Sequence, residues 1–179
     1  MKSLVKICSL CLTVLFAANL NSFAQDRGNG KARPSPNAAV SQTIGTTIVS
    51  VTYGRPGLKG RTLESLTPKG EVWRTGANES TVITFSDDVT VGNKKIKAGT
   101  YSLYTIPQGN EWTVIINSKL SWGTQYDKAQ DVARIPVSAT MGNIQTEWFT
   151  IYFMDLSDTS ATMYLRWGDT LVAVPLKVG

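Results

Sequence analysis

Histidine is absent from all 179 residues, and cysteine occurs only as Cys8 and Cys11. Without histidine there is no Ser-His-Asp or Cys-His nucleophile, no histidine general base and no typical zinc site. Both cysteines fall within the first 24 residues, so a chain lacking those residues has no disulfide, no thiolate nucleophile and no zinc–sulfur site. Long apolar runs are missing too. The best of them, Ile7 to Ala18, is about a dozen residues, well short of the roughly 20 that a membrane-spanning helix needs.

That short run has the flanks of an export signal. Lys2 and Lys6 precede it, and Ser22-Phe23-Ala24 follows as a small-x-small cleavage site, which puts the expected start of the mature chain at Gln25. A lipid anchor is not expected, because Cys11 follows Leu10 and sits inside the apolar run instead of after it. The protein is therefore expected to be exported, to the periplasm or beyond it.

One-signed charge is scarce as well. The formal net charge is +5, and loss of Lys2 and Lys6 lowers the basic count from 18 to 16 against 13 acidic residues, leaving about +3. So small and scattered an excess gives no footprint for nucleic acid or for an anionic membrane surface. No metal site and no cofactor are expected.

What is present is mostly strand. After a Gly-, Pro- and charge-rich stretch, Asp26 to Asn37, whose composition predicts a flexible leader over residues 25–37, the apolar period becomes two. Thr47, Val49, Val51 and Tyr53 share one face. Thr81 to Phe85, Thr100 to Ile106, Trp112 to Asn117, Glu147 to Met154, Thr162 to Trp167 and Leu171 to Leu176 are similarly rich in β-branched and aromatic residues. Gly92-Asn93-Lys94-Lys95 and Gln108-Gly109-Asn110 read as turns, Gly168-Asp169 as a two-residue hairpin, and Asp87-Asp88 as a turn after the Thr81 to Phe85 strand. Only Tyr126 to Val132 suggests a helical turn. The expected fold is a single all-β domain over residues 38–179, an antiparallel sandwich of about nine strands, with a partly closed barrel as the alternative.

Gly54 to Asn78 breaks the alternation with five glycines and two prolines in 25 residues. Loops of that length are functional or disordered. Leu58, Leu63, Leu66, Val72 and Trp73 supply apolar anchors, so an ordered loop is expected. It carries Arg55, Arg61 and Arg74 beside Glu64, Glu71 and Glu79, and each guanidinium offers a planar fork suited to carboxylate or phosphate. Two readings stand: the arginines converge on an anionic group, or each one pairs with a glutamate or a loop carbonyl and holds the loop down. The five tryptophans invite a carbohydrate reading, since sugar faces stack on exposed rings. Trp112, Trp148 and Trp167 lie in strand runs and point to packing, whereas Trp73 and Trp122 lie in loops, where ligands are met.

The blocks "GRPGLKGRTL", "GEVWRTGANESTVITFSDDVTVGNKKIKAGTYSLYTIP" and "EWTVIIN" resemble, in order, the signature blocks of the DUF2911 family of secreted bacterial proteins frequent in Bacteroidetes, from about Thr46 to the C-terminus. The resemblance implies an exported all-β domain with no established activity. It places Arg55, Pro56, Gly60, Arg61, Trp73, Arg74, Thr75, Gly76, Ala77, Asn78 and Glu79 in the family pattern, and it assigns no catalytic residue.

Three functions follow as expectations. The first is a binding module whose loop 54–79 holds a small polar or anionic ligand or a glycan through Arg55, Arg61, Arg74, Asn78 and Glu79, with Trp73 as an apolar wall. The second is an enzyme that uses Glu79 with another carboxylate on a glycan. The third is a structural or protein-interaction domain whose loop is architecture only.

Overall fold

The computed structural model describes residue 27 and residues 30–179; the expected export segment, with Cys8 and Cys11, lies outside them. Among the described residues, nine strands form the domain: β1 Asn37–Ile44, β2 Thr47–Gly54, β3 Thr81–Phe85, β4 Val89–Val91, β5 Lys94–Ile96, β6 Gly99–Ile106, β7 Glu111–Asn117, β8 Asp131–Met154 and β9 Ser160–Val178. They make one sheet in the order β1-β2-β3-β6-β7-β8-β9-β4-β5, with every pairing antiparallel. The sheet is open, and it is not the barrel of the alternative expectation.

It doubles over at β8. That strand pairs with β7 through Ser138 and with β9 from Ala139 onward, and its register slips twice between Met141 and Thr150. Such slips bend and twist a strand. The strands up to the start of β8 thus form one layer, and the rest of β8 with β9, β4 and β5 forms the other. Alternation then places Val49, Val51, Ile83, Leu103, Val114 and Ile116 opposite Phe149, Ile151, Met163, Leu165, Val174 and Leu176 in one buried core. The predicted face of β2, Thr47, Val49, Val51 and Tyr53, is wholly buried. Among the described residues no helix is long and apolar enough to cross a membrane.

Three local expectations are corrected. Gly168-Asp169 is not a hairpin: Ser160–Val178 is one strand, with Gly168 at φ +58 opposite Thr146. A glycine there kinks β9 in step with the bend of β8, a left-handed backbone that a side chain would strain. Residues 131–146, which show too little alternation to be read as strand, begin β8. And the long loop contains a helical turn, α1 Leu63–Leu66, capped by the Thr62 hydroxyl, which accepts the Ser65 N–H at 3.3 Å. Four residues are too few to display a period of 3.6. The helical turn expected within Tyr126 to Val132 is the 3₁₀ turn Lys128–Gln130.

Candidate functional site

The loop after β2 is ordered because its first residues run as an extra strand beside β8. Gly57 bridges Trp148, the Leu58 N–H donates to the Glu147 carbonyl at 3.0 Å, and the Phe149 N–H donates to the Pro56 carbonyl at 2.9 Å. At its far end Trp73 bridges Thr105 of β6. Gly54 is required where the loop returns, since a Cβ on it would collide with the Ala77 carbonyl. Leu58 and Leu63 are buried as expected, but Val72 is 37% exposed and anchors nothing.

The three arginines do not converge. Arg55 donates to the Phe149 carbonyl at 3.0 Å and to the Thr150 hydroxyl at 2.7 Å, fixing the loop to β8. Arg61 folds back on the carbonyls of Leu58 and Gly57, and Arg74 donates to the Asn78 carbonyl at 3.1 Å. Each holds the loop through a backbone acceptor. The residues lie on different sides of a 25-residue excursion, a separation that closeness in sequence does not reveal.

Trp73 is a core residue and no wall for a ligand. It is 9% exposed, stacks on Trp167 at 5.5 Å and meets the edges of Phe149 and Trp112 at 5.0 and 6.3 Å. Trp112 and Trp167 are also buried, while Trp122 and Trp148 remain exposed. Asn78 takes up a left-handed backbone, φ +67, and its amide donates to the Ser35 carbonyl.

Glu79 has a partner that sequence reasoning missed. Its side chain is only 4% exposed, and Arg33 grips it with both nitrogens, Nη1 at 3.0 and 2.9 Å from the two carboxylate oxygens and Nη2 at 3.0 Å from Oε1. Burial, the largest influence, pushes this carboxyl upward. Hydrogen bonds from Arg33 and from its own backbone, with the charges of Arg33 and Arg27, outweigh it and hold the carboxyl below its ordinary 4.5. That is the opposite of what a general acid needs. The Glu79 carboxylate is a structural anion.

Arg33 belongs to the stretch expected to be a flexible leader. Residues 33–36 instead lie along the loop as a strap: besides Arg33, the carbonyls of Pro34, Ser35 and Pro36 accept from Lys59 Nζ, Asn78 Nδ2 and the Arg55 N–H. Arg27 donates to the carbonyls of Thr52 and Ser80. Charge and carbonyls hold the strap, so it needs no large apolar residue, and a hydrophobicity criterion passes it over.

A cleft of about 460 Å³ opens where the loop meets the kinks of β8 and β9. Leu58, Leu63 and Gly60 form its apolar and backbone surfaces, and Arg61, Thr62, Glu64, Gln145, Glu147 and Asp169 its polar ones. Of the predicted site residues only Arg61 lies here. Among the described residues, the side chains of Glu64, Gln145 and Asp169 make no hydrogen bond, and Glu147 commits only Oε1, to the Lys59 N–H at 2.8 Å. The lining thus carries three carboxylates against one guanidinium, formally −2, with acceptors in excess. Among the described residues no group of three metal-binding side chains is assembled. Glu147 and Asp169 gave no local signal, since only the paired kinks bring them to Arg61.

A family model described as a protein of unknown function (DUF2911) matches residues 35–176, from the end of the strap to β9. No curated protein and no solved structure matches the chain.

Proposed function

The chain belongs to the DUF2911 family, whose description records no activity, and we propose on the geometry that it is an exported binding module for a small hydroxyl-rich molecule held in the cleft beside Arg61. The observation that carries this reading is the hydrogen-bonding capacity left over around one concave space: Glu64, Gln145, Asp169 and one oxygen of Glu147 accept, the Thr62 hydroxyl donates, and Arg61, whose Nε and Nη2 are held by loop carbonyls, donates through Nη1. Neighbouring hydroxyls are both donors and acceptors, and a sugar satisfies such a mixture without bringing in charge. An anionic ligand would meet an excess of two negative charges, which weighs against the phosphate or carboxylate ligand that three arginines suggest. Export rests on the Lys2 to Ala24 segment alone.

The test is a thermal-shift and ligand-observed NMR screen of sugars, polyols, amines, carboxylates and phosphates against the wild type and Glu64→Gln. Glu64 is exposed on α1 and bonds to no described side chain or backbone group, so its substitution leaves stability near neutral. A ligand present at 100 times its Kd stabilises by about 2.7 kcal/mol, which raises Tm by roughly 5–10 °C. We expect neutral sugars to do this for the wild type and less for the variant. No shift with any class, or equal shifts for both proteins, overturns the assignment to this cleft.

A further inference from the structure

A second cleft, of about 160 Å³, lies against the first. Leu63 and Glu64 of α1 line both, and along β9 the lining passes from Asp169 in the first to Thr170 in the second. The second cleft has a different character. The exposed Met141, beside the buried Trp112 and Pro107, gives it an apolar floor, and the exposed Lys69 and Asn110 also line it. Two concavities that share one wall and differ in polarity suit a ligand that crosses the wall and is itself two-faced.

We infer that the ligand of the first cleft is the end unit of a linear neutral oligosaccharide whose next units cross Glu64 and lie on Trp112 and Met141. The inference rests on the sugar-binding reading above and adds the length of the ligand. A pyranose ring has an apolar C–H face and an equatorial belt of hydroxyls. Its face fits the floor of Trp112 and Met141, and its hydroxyls fit Glu64, Lys69 and Asn110. The side chains of Glu64, Lys69 and Asn110 make no hydrogen bond among the described residues, so they reach a chain without giving up an existing contact. A charged polymer fits less well, since Lys69 at one end and the carboxylates at the other favour opposite signs.

The experiment is calorimetry on the mature chain with linear glucans, xylans, mannans, galactans and N-acetylglucosamine oligomers, each at one, three and six units, with neutral peptides of matching length as a further arm. The variant is Asn110→Phe. Asn110 is exposed and contributes only its carbonyl, to the Ala139 N–H, so a ring there fills the second cleft and leaves the fold and the first cleft intact. For one glycan series we expect the trimer to bind at least about tenfold more tightly than the monosaccharide, the gain supplied by burying roughly 60 Å² of apolar surface. Asn110→Phe should erase that gain and leave the monosaccharide unchanged. A monosaccharide that binds as tightly as its trimer overturns the inference and leaves the sugar-binding reading standing. Binding of peptides alone overturns the ligand class, and no binding in any arm overturns both readings.

Discussion

Replacing Arg33 by alanine strands a buried carboxylate. Glu79 is 4% exposed and takes three short hydrogen bonds from this one side chain. Removing one member of a buried pair costs about 3–5 kcal/mol, most of it the penalty of leaving the other charge uncompensated. Two features place this case at the lower end. Arg33 is itself 21% exposed, so water reaches the vacated position, and the charge of Arg27 still acts on Glu79. We therefore expect a loss of about 3 kcal/mol, a fall in Tm of roughly 6–12 °C for a domain of this size. Glu79→Gln removes the stranded charge, so the double variant Arg33→Ala/Glu79→Gln should be more stable than Arg33→Ala alone by at least about 1 kcal/mol. Urea melts of the four proteins, followed by tryptophan fluorescence and circular dichroism, give the cycle. A single variant within about 0.5 kcal/mol of wild type, or a double variant no better than Arg33→Ala, refutes the assignment of Glu79 as an anion that depends on the strap.

The same carboxylate sets an acid limit: its folded pKa lies below the ordinary 4.5, so its contribution is full above that pH and disappears as pH falls through the folded value; melts from pH 7 to 3 should show this loss, with Glu79→Gln flattening the profile. Trp73→Ala should cost about 3–5 kcal/mol by emptying the space among Trp112, Phe149 and Trp167, and a near-neutral melt would return Trp73 to the list of ligand contacts. Gly168→Ala, at φ +58 with only ordinary van der Waals contacts for the new Cβ, to Leu63 Cβ at 3.8 Å and Leu58 Cδ1 at 3.9 Å, should cost about 1–2 kcal/mol from backbone strain alone, readable as a Tm drop of a few degrees. Tyr126, in contact with Asp131 and Arg134, has its phenol pushed up to about 12, first by burial and then by Asp131; in a spectrophotometric titration, Tyr126→Phe should remove a step near pH 12.

Local chemistry was legible where one strand face meets one core. The run from Thr81 to Phe85 is β3 without adjustment, and the turn read over Gly92 to Lys95 is there but shorter, with Gly92-Asn93 turning β4 into β5 and Lys94 and Lys95 already in the strand. Gly168-Asp169 carries the same local signal as a hairpin, because a glycine in left-handed backbone beside a polar residue serves either a reversal or a kink; only the partner strand decides which. The arginines of the loop were visible, but their acceptors were carbonyls, and no sequence marks a carbonyl as special. Arg33 and Glu79 are 46 residues apart. The cleft was the least legible part, since Arg61, Glu147 and Asp169 are neighbours only after β8 and β9 have bent together.

The doubling of the sheet also dictates an order of assembly. β1, β2 and β3 find partners within the first part of the chain, but β4 joins the sheet only through Val178, Lys177 and Leu176 at the end of β9. Closing so wide an interval comes late and slowly when strands pair. A chain that emerges from its N-terminus therefore holds the hairpin of β4 and β5 without its β9 partner until Leu176 to Val178 have appeared. Its three-residue strands and the lysines at 94 and 95 keep that waiting edge short and charged, which is how a strand avoids pairing with the wrong chain in the meantime.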